Sequence, residues 1–110
     1  MKGIDATAIY IVLVWASPEG EGAFVKWLDE KHLKEVVAEP GFTGCRRLKL
    51  SQKNGNGWAG HMVIYELDSA QSLANYLASD RRVALVAEGL KFKGVTMERF
   101  DGSVEKILSS

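Results

Sequence analysis

The segment FTGCRRLKLSQKNGNGWAGHMVIYEL, residues 42–67, decides how this chain folds. Its centre, Asn-Gly-Asn-Gly at residues 54–57, holds residues that tolerate positive φ and lies between two stretches of strand composition. An Asn-Gly pair between such stretches is the strongest short-range signal of a β-hairpin. We therefore predict that residues 42–50 and 59–67 form neighbouring antiparallel strands.

Four more elements flank this hairpin. Residues 8–15 are β-branched and aromatic, which is typical of a strand. Residues 22–38 carry apolar side chains at helical spacing and stop before Pro40-Gly41. A second helical region spans residues 72–90, with a break near Ser79-Asp80, and residues 95–100 make a final strand.

The resulting order, strand–helix–strand–strand–helix–strand, predicts a ferredoxin-like α+β fold with one domain spanning residues 1–110. Both crossovers are right-handed in that order, so both helices lie on the same face of a four-stranded antiparallel sheet. The other face of the sheet is left uncovered. An apolar patch as large as one face of a sheet is uncommon on the surface of a monomer. We predict a homodimer through this open sheet face, which makes the assembly a dimeric α/β barrel.

Composition narrows the classes of partner. The formal net charge at pH 7 is +0, so no overall positive charge favours binding to nucleic acid. Cys45 is the single cysteine, which fits a reducing compartment, and we expect a cytoplasmic protein. The apolar run at residues 8–16 is too short to span a bilayer, so we expect no membrane partner.

The two histidines, His32 and His61, are the first candidates for chemistry. A helical projection places His32 in the apolar stripe formed by Val25, Leu28, Leu33 and Val36, which faces the sheet. On the third strand, His61 shares a face with Tyr65. If helices cover that face, both imidazoles line one compartment, and burial lowers their pKa values so that a neutral base is present near pH 7. The alternative is that both are structural residues, with His32 satisfied in the core and His61 capping the hairpin.

Other side chains complete the predicted ligand site. Tyr65 and Tyr10 are candidates to donate a phenolic hydrogen bond to a ligand oxygen. The alternative is that both are ordinary aromatic residues of their strands. Phe24 and Trp27 border the apolar stripe and either wall an aromatic ligand or pack against neighbours. The predicted substrate-binding residues are Tyr10, Phe24, Trp27, Leu28, Val63 and Tyr76, and the predicted catalytic residues are His32, His61 and Tyr65.

Several other kinds of site are disfavoured. Two histidines without a cysteine pair are too few for a zinc site, so we predict no metal. There is no phosphate-binding glycine loop or Rossmann fingerprint, and we expect no cofactor. Arg46 and Arg47 are adjacent on a strand and point to opposite faces, so we expect one of them to pair with Glu66 or Glu98 across the sheet.

Two resemblances support this fold. The segments Trp27-Leu-Asp-Glu-Lys-His-Leu-Lys-Glu-Val36 and Pro40-Gly-Phe-Thr-Gly-Cys-Arg46 resemble an uncharacterised bacterial family of small dimeric α/β-barrel proteins. The run Gly60-His-Met-Val-Ile-Tyr65, followed by a helix containing Tyr76, is similar to the stress-responsive barrel group that includes olivetolic acid cyclase. That resemblance implies a catalytic strand histidine at His61 and a pocket tyrosine near Tyr76. The helix histidine of that group has no counterpart near residues 80–83, where this chain has arginines.

Haem-degrading monooxygenases share the same barrel, and the resemblance implies a haem-binding histidine on the second helix. Residues 69–90 contain no histidine, so haem is disfavoured. We therefore expect a cofactor-independent lyase, isomerase or cyclase that uses histidine acid/base chemistry on a small apolar substrate, aromatic or polyketide-like. Two alternatives stay open, namely a non-catalytic small-molecule-binding or structural homodimer and a cofactor-free monooxygenase.

Overall fold

A computed structural model describes residues 7–110 and confirms the predicted fold. Its four strands form one antiparallel sheet in the order β2-β3-β1-β4, with the helices packed on one face. In chain order the elements are β1 (Ala8–Ala16), α1 (Glu21–Trp27), a π-helical turn (Leu28–His32), α2 (Leu33–Val37), β2 (Phe42–Lys53), β3 (Ala59–Leu67), α3 (Ala70–Leu77), α4 (Asp80–Gly89) and β4 (Val95–Ser103).

The predicted hairpin is present between β2 and β3. Asn54 organises its turn, because its side-chain Oδ1 accepts hydrogen bonds from the backbone N–H groups of Asn56 and Trp58. Gly57 has a φ of 76°, in the left-handed region that favours glycine. The structure extends β2 three residues beyond the predicted end at Leu50, with an irregularity in pairing between Lys49 and Lys53.

The first predicted helix differs from the structure, because it is not one continuous α-helix. The five-residue π turn Leu28–His32 divides it into α1 and α2. Phe24, Leu28 and Val36 are buried, whereas Val25 and Leu33 of the predicted stripe are only partly buried. A π turn adds a residue to a helix, so positions beyond it no longer follow an unbroken 3.6-residue repeat.

The second helical region breaks near the predicted position. The two helices are α3 and α4, and each has a serine as its N-cap. Ser69 Oγ accepts a hydrogen bond from the backbone N–H of Ser72, and Ser79 Oγ accepts one from Arg82. These caps satisfy backbone donors that a helix start leaves unpaired.

Alternating side chains give the sheet two faces of different character. On the helix-covered face, Tyr10, Val14, Val63 and Tyr65 are almost fully buried. The open face carries apolar side chains that are partly buried or exposed, and Trp15 lies against Gly60 at a distance that a Cβ on residue 60 would not allow. Within residues 7–110, no helix is long and apolar enough to cross a membrane.

Candidate functional site

An internal cavity lies between the sheet and the helices. Its volume is about 30 Å³, which is enough for one or two water molecules. Side chains of β1, β3 and β4 form its floor, and residues of all four helices with the π turn form its roof. Eight of the nine residues predicted for the site line this cavity, namely Tyr10, Phe24, Trp27, Leu28, His32, Val63, Tyr65 and Tyr76.

His32 supplies the cavity with a titratable nitrogen. Its Nδ1 atom is buried and has no hydrogen-bond partner within residues 7–110. Burial is the main reason that the pKa of this imidazole is lowered from its ordinary value of 6.5. His32 is therefore a neutral imidazole near pH 7 that lines the cavity, with one buried ring nitrogen that has no partner in the described part of the chain.

The π turn determines where the His32 ring lies. Its ring centroid is 4.3 Å from that of Trp27, and the two planes are inclined by 23°, so the rings stack. Residues five apart lie about 140° apart around a regular α-helix and would not stack. A π turn, with its i→i+5 hydrogen bonds, brings such residues onto the same side.

Three tyrosines enclose the opposite part of the cavity. Tyr10 stacks on Tyr65 with ring centroids 5.7 Å apart, and its ring meets that of Tyr76 edge-on at 5.8 Å. Burial raises the pKa of Tyr65 and of Tyr76 well above the ordinary value of 10.0. Both phenols are therefore protonated in this cavity and are suited to donating hydrogen bonds rather than to accepting protons.

Arg99 also lines the cavity, and the sequence analysis did not find it. It lies opposite Val12 in the pairing of β4 with β1, on the helix-covered face. The signal was present in the alternation of the last strand, in which Val95, Met97 and Arg99 share one face. An arginine in register with two inward-facing apolar residues indicates a charge placed on the core side of the sheet.

His61 is the exception among the predicted residues, and the prediction that both imidazoles share one compartment is wrong. His61 is buried but faces a separate surface cleft lined also by Glu21, Arg47 and Lys49. Arg47 Nη1 lies 3.1 Å from its Nδ1, and Glu21 Oε2 lies 2.6 Å from its Nε2. Since a guanidinium only donates, Nδ1 accepts this hydrogen bond and the ring proton on Nε2 is donated to Glu21.

Arg47 connects His61 to the π turn. It donates two hydrogen bonds to the carboxylate of Asp29, at 2.8 and 2.6 Å, and this pairing lowers the pKa of Asp29. The expected cross-strand pair of an arginine with Glu66 or Glu98 does not form among residues 7–110, and Arg47 pairs with Asp29 of the π turn. We refer to Glu21, His61, Arg47 and Asp29 as the polar bridge. Both ring nitrogens of His61 are engaged in this bridge.

Trp27 separates the cavity from the outside. It lines the internal cavity and also a surface cleft of about 250 Å³ formed with Glu88, Lys91 and Phe92. Its ring centroid is 5.0 Å from that of Phe92 and 5.5 Å from that of Phe24. Trp27 is therefore a residue that the cavity and this surface cleft share.

No group of three or more His, Cys, Asp or Glu side chains placed to hold a metal ion occurs within residues 7–110. The polar groups of the cavity are instead one imidazole, one guanidinium and three phenols. This set can accept a proton, donate hydrogen bonds and stabilise a negative charge.

The fold and the cavity define the class of protein. A β2-β3-β1-β4 antiparallel sheet with helices on one face is the ferredoxin-like fold, as predicted from the sequence. The chain belongs to the family described as domain of unknown function DUF4286, whose family model matches residues 7–100. No curated protein sequence matches the chain.

Solved structures share this fold at low sequence identity. A monooxygenase of Streptomyces coelicolor in complex with nanaomycin D is 14% identical, with a TM-score of 0.68 over 96% of this chain and 95% of that one. SnoaB, a cofactor-independent oxygenase of Streptomyces nogalater, is 13% identical, with a TM-score of 0.65 over 96% and 100%. An ethyl tert-butyl ether degradation (EthD) family protein of Bacillus halodurans is 18% identical, with a TM-score of 0.60 over 91% and 99%.

Proposed function

We propose that this protein is a cofactor-free monooxygenase that binds a small aromatic substrate between the sheet and the helices. The observation that carries the proposal is the neutral His32, which lines an aromatic cavity and whose buried Nδ1 has no partner within residues 7–110. The similarity in fold to a cofactor-independent oxygenase and to a monooxygenase supports oxygenation over the lyase, isomerase or cyclase chemistry expected from the sequence.

His32 Nδ1 acts as the general base in this proposal. It takes a proton from an acidic C–H or O–H of the substrate, which leaves a carbanion or its conjugated oxyanion. The anion gives electrons to O₂, and a C–O bond forms at the carbon over which the negative charge is delocalised. For a CH₂ group that becomes a carbonyl, one oxygen atom stays on carbon and the other leaves as water with the two hydrogens. The substrate supplies all four electrons, so the reaction needs no other reductant.

The tyrosines and Trp27 have separate roles in the same proposal. Tyr65, Tyr76 and Tyr10 orient a substrate oxygen and form the aromatic walls. Since the cavity holds only one or two waters when Trp27 is in place, substrate entry requires displacement of that indole. His61 has both nitrogens engaged in the polar bridge, so its catalytic role remains a prediction that this geometry does not favour.

The open face of the sheet carries the second part of the proposal, which is that two copies form a homodimer. Ile11, Leu13, Met62 and Ile64 are only partly buried there, and Phe100 is half exposed. A second copy would remove this apolar surface from water and leave the cavity on the outer, helix-covered side of each sheet.

Anthrone tests the reaction, because its acidic CH₂ converts to the carbonyl of anthraquinone by the stoichiometry above. We expect the protein to accelerate anthraquinone formation and O₂ uptake, and His32→Gln to reduce the rate by about 100-fold or more. The control is Lys34→Gln, which changes an exposed residue on α2 and is expected to keep the wild-type rate.

Running the reaction in D₂O under nitrogen, and again in air, separates the alternatives. Deuterium exchange at the anthrone CH₂ under nitrogen, together with no oxygen uptake in air, would support the lyase, isomerase or cyclase class, which shares the His32 base. Wild-type protein with neither exchange nor oxidation above the buffer rate would contradict catalysis on this compound class and favour a binding or structural dimer.

A further inference from the structure

We propose that Arg99 is the oxyanion-binding residue of this cavity, and that the ligand is a small aromatic or conjugated acid held there as its anion. This inference rests on the proposed function, because it assigns the charge of the ligand that occupies the same cavity. It goes further by naming the residue that selects the ligand. It also excludes cations and neutral compounds that have no acidic proton and so cannot form an anion.

Arg99 is a partly buried cation on the core side of the sheet. Its Nε atom is buried without a hydrogen-bond partner among residues 7–110, and its Nη2 has a weak contact with Met97 Sδ at 3.6 Å. Within the same residues it makes no ion pair. A buried polar atom is ordinarily hydrogen-bonded, because leaving water without a partner is costly.

Arg47 gives the comparison within the same sheet. It also lies on the helix-covered side, but its guanidinium is paired with Asp29 through two hydrogen bonds. Among residues 7–110, the chain therefore neutralises one inward-facing arginine and leaves the other without a carboxylate partner. Glu35 and Glu88 are close enough to raise the pKa of His32, yet neither lines the cavity. The charge of Arg99 remains available to a ligand.

Arg99 and the proposed base belong to one site. Both side chains line the cavity, and each has a buried nitrogen without a partner in the described chain. The positive charge of Arg99 lowers the pKa of His32, and it opposes the rise in the pKa values of Tyr65 and Tyr76. The guanidinium is thus near all three groups. When His32 removes a proton, Arg99 is placed to stabilise the oxygen on which the negative charge is delocalised.

The probe for this inference is 4-nitrophenol, since its phenolate absorbs visible light and the neutral phenol does not. We expect the wild-type protein to bind it and to lower its pKa by roughly one to three units, as an adjacent opposite charge does. Arg99→Gln should retain binding but abolish that shift. Arg99→Lys, which keeps a positive charge without the guanidinium, should restore part of it. Lys34→Gln, which removes the charge of an exposed residue on α2, should keep the wild-type shift.

Each outcome has a distinct meaning. If 4-nitrophenol binds with an unchanged or raised pKa, the cavity still holds an aromatic ligand but the oxyanion assignment is wrong. A lowered pKa that persists in Arg99→Gln overturns the role of Arg99, provided that circular dichroism shows a folded variant. If Arg99→Gln does not fold, Arg99→Met is measured in its place. Loss of the pKa shift in that variant supports the role of Arg99, and persistence of the shift overturns it. No binding by the wild-type protein overturns this inference together with the aromatic-ligand part of the proposed function.

Discussion

Opposing influences act on the protonation of His32. Burial disfavours the imidazolium and is the larger influence, whereas the carboxylates of Glu88 and Glu35 favour it. Because the folded-state pKa is the lower one, the unfolded chain binds a proton at a pH at which the folded chain does not. The neutral ring therefore stabilises the fold above the ordinary pKa of 6.5, and this stabilisation is lost as the pH falls below that value.

This linkage gives a prediction for stability. Between pH 7.5 and 5.5 the free energy of unfolding should fall more in the wild type than in His32→Gln. The excess is at most about 1.4 kcal/mol per pH unit, the limit for one proton. Urea denaturation at the two pH values measures it. Equal losses in the two proteins would show that burial does not lower the pKa of His32.

The sequence predicted most of the cavity residues but not all of its charges. The aromatic and aliphatic residues were predictable, because strand alternation and helical spacing decide which side chains face the core. For His61, the predicted face of β3 was right but the predicted site was wrong. Its position near the start of the strand places the ring beside Glu21 and away from the cavity. Arg99 was missed, since its significance depends on the absence of a carboxylate partner, which strand periodicity does not reveal.

At the scale of elements, the π turn is held from two sides. The polar bridge ties Asp29 to β2 and β3 through Arg47. On the other side, Lys31 Nζ lies 2.7 Å from Glu88 Oε2 on α4. These contacts fix the turn that stacks His32 on Trp27. We infer that the polar bridge positions the candidate base without contacting the substrate.

Two adjacent arginines test this role. Arg47→Gln should destabilise the fold by about 1–2 kcal/mol, because it removes charged hydrogen bonds and leaves His61 Nδ1 without its donor. Arg46→Gln, on the other sheet face, should change stability by less than about 0.5 kcal/mol. Urea denaturation gives both values, and equal effects from the two substitutions would contradict a special role for Arg47.

Element order and the sites of the turns were predictable, whereas the π turn was not. Asn-Gly pairs, proline and the Ser79-Asp80 pair are local signals. The hairpin, the end of α2 before Pro40 and the division between α3 and α4 follow them. A π turn depends instead on long-range contacts, such as the Asp29–Arg47 pair, which join residues 18 positions apart. Helical periodicity over residues 22–38 consequently predicted a regular helix.

The open sheet face is the surface through which we propose that two copies associate. If it forms the dimer interface, a charge at its centre should prevent association. We expect Leu13→Glu to be monomeric and the wild type dimeric, as measured by sedimentation equilibrium. The control is Val83→Glu, which adds the same charge at an exposed apolar position on α4, where 66% of the residue surface is accessible. A monomeric wild type, or a dimeric Leu13→Glu, would contradict this interface.

We propose that the ligand site is the cavity lined by His32 and not the surface cleft lined by His61. The most direct measurement is an NMR titration of the two histidine rings with 4-nitrophenol. The His32 ring signals should shift as the compound is added, with Trp27 indole signals changing in parallel, while the His61 ring signals stay in place. Saturable shifts at His61 with none at His32 would contradict the claim and move the site to the surface cleft beside Glu21.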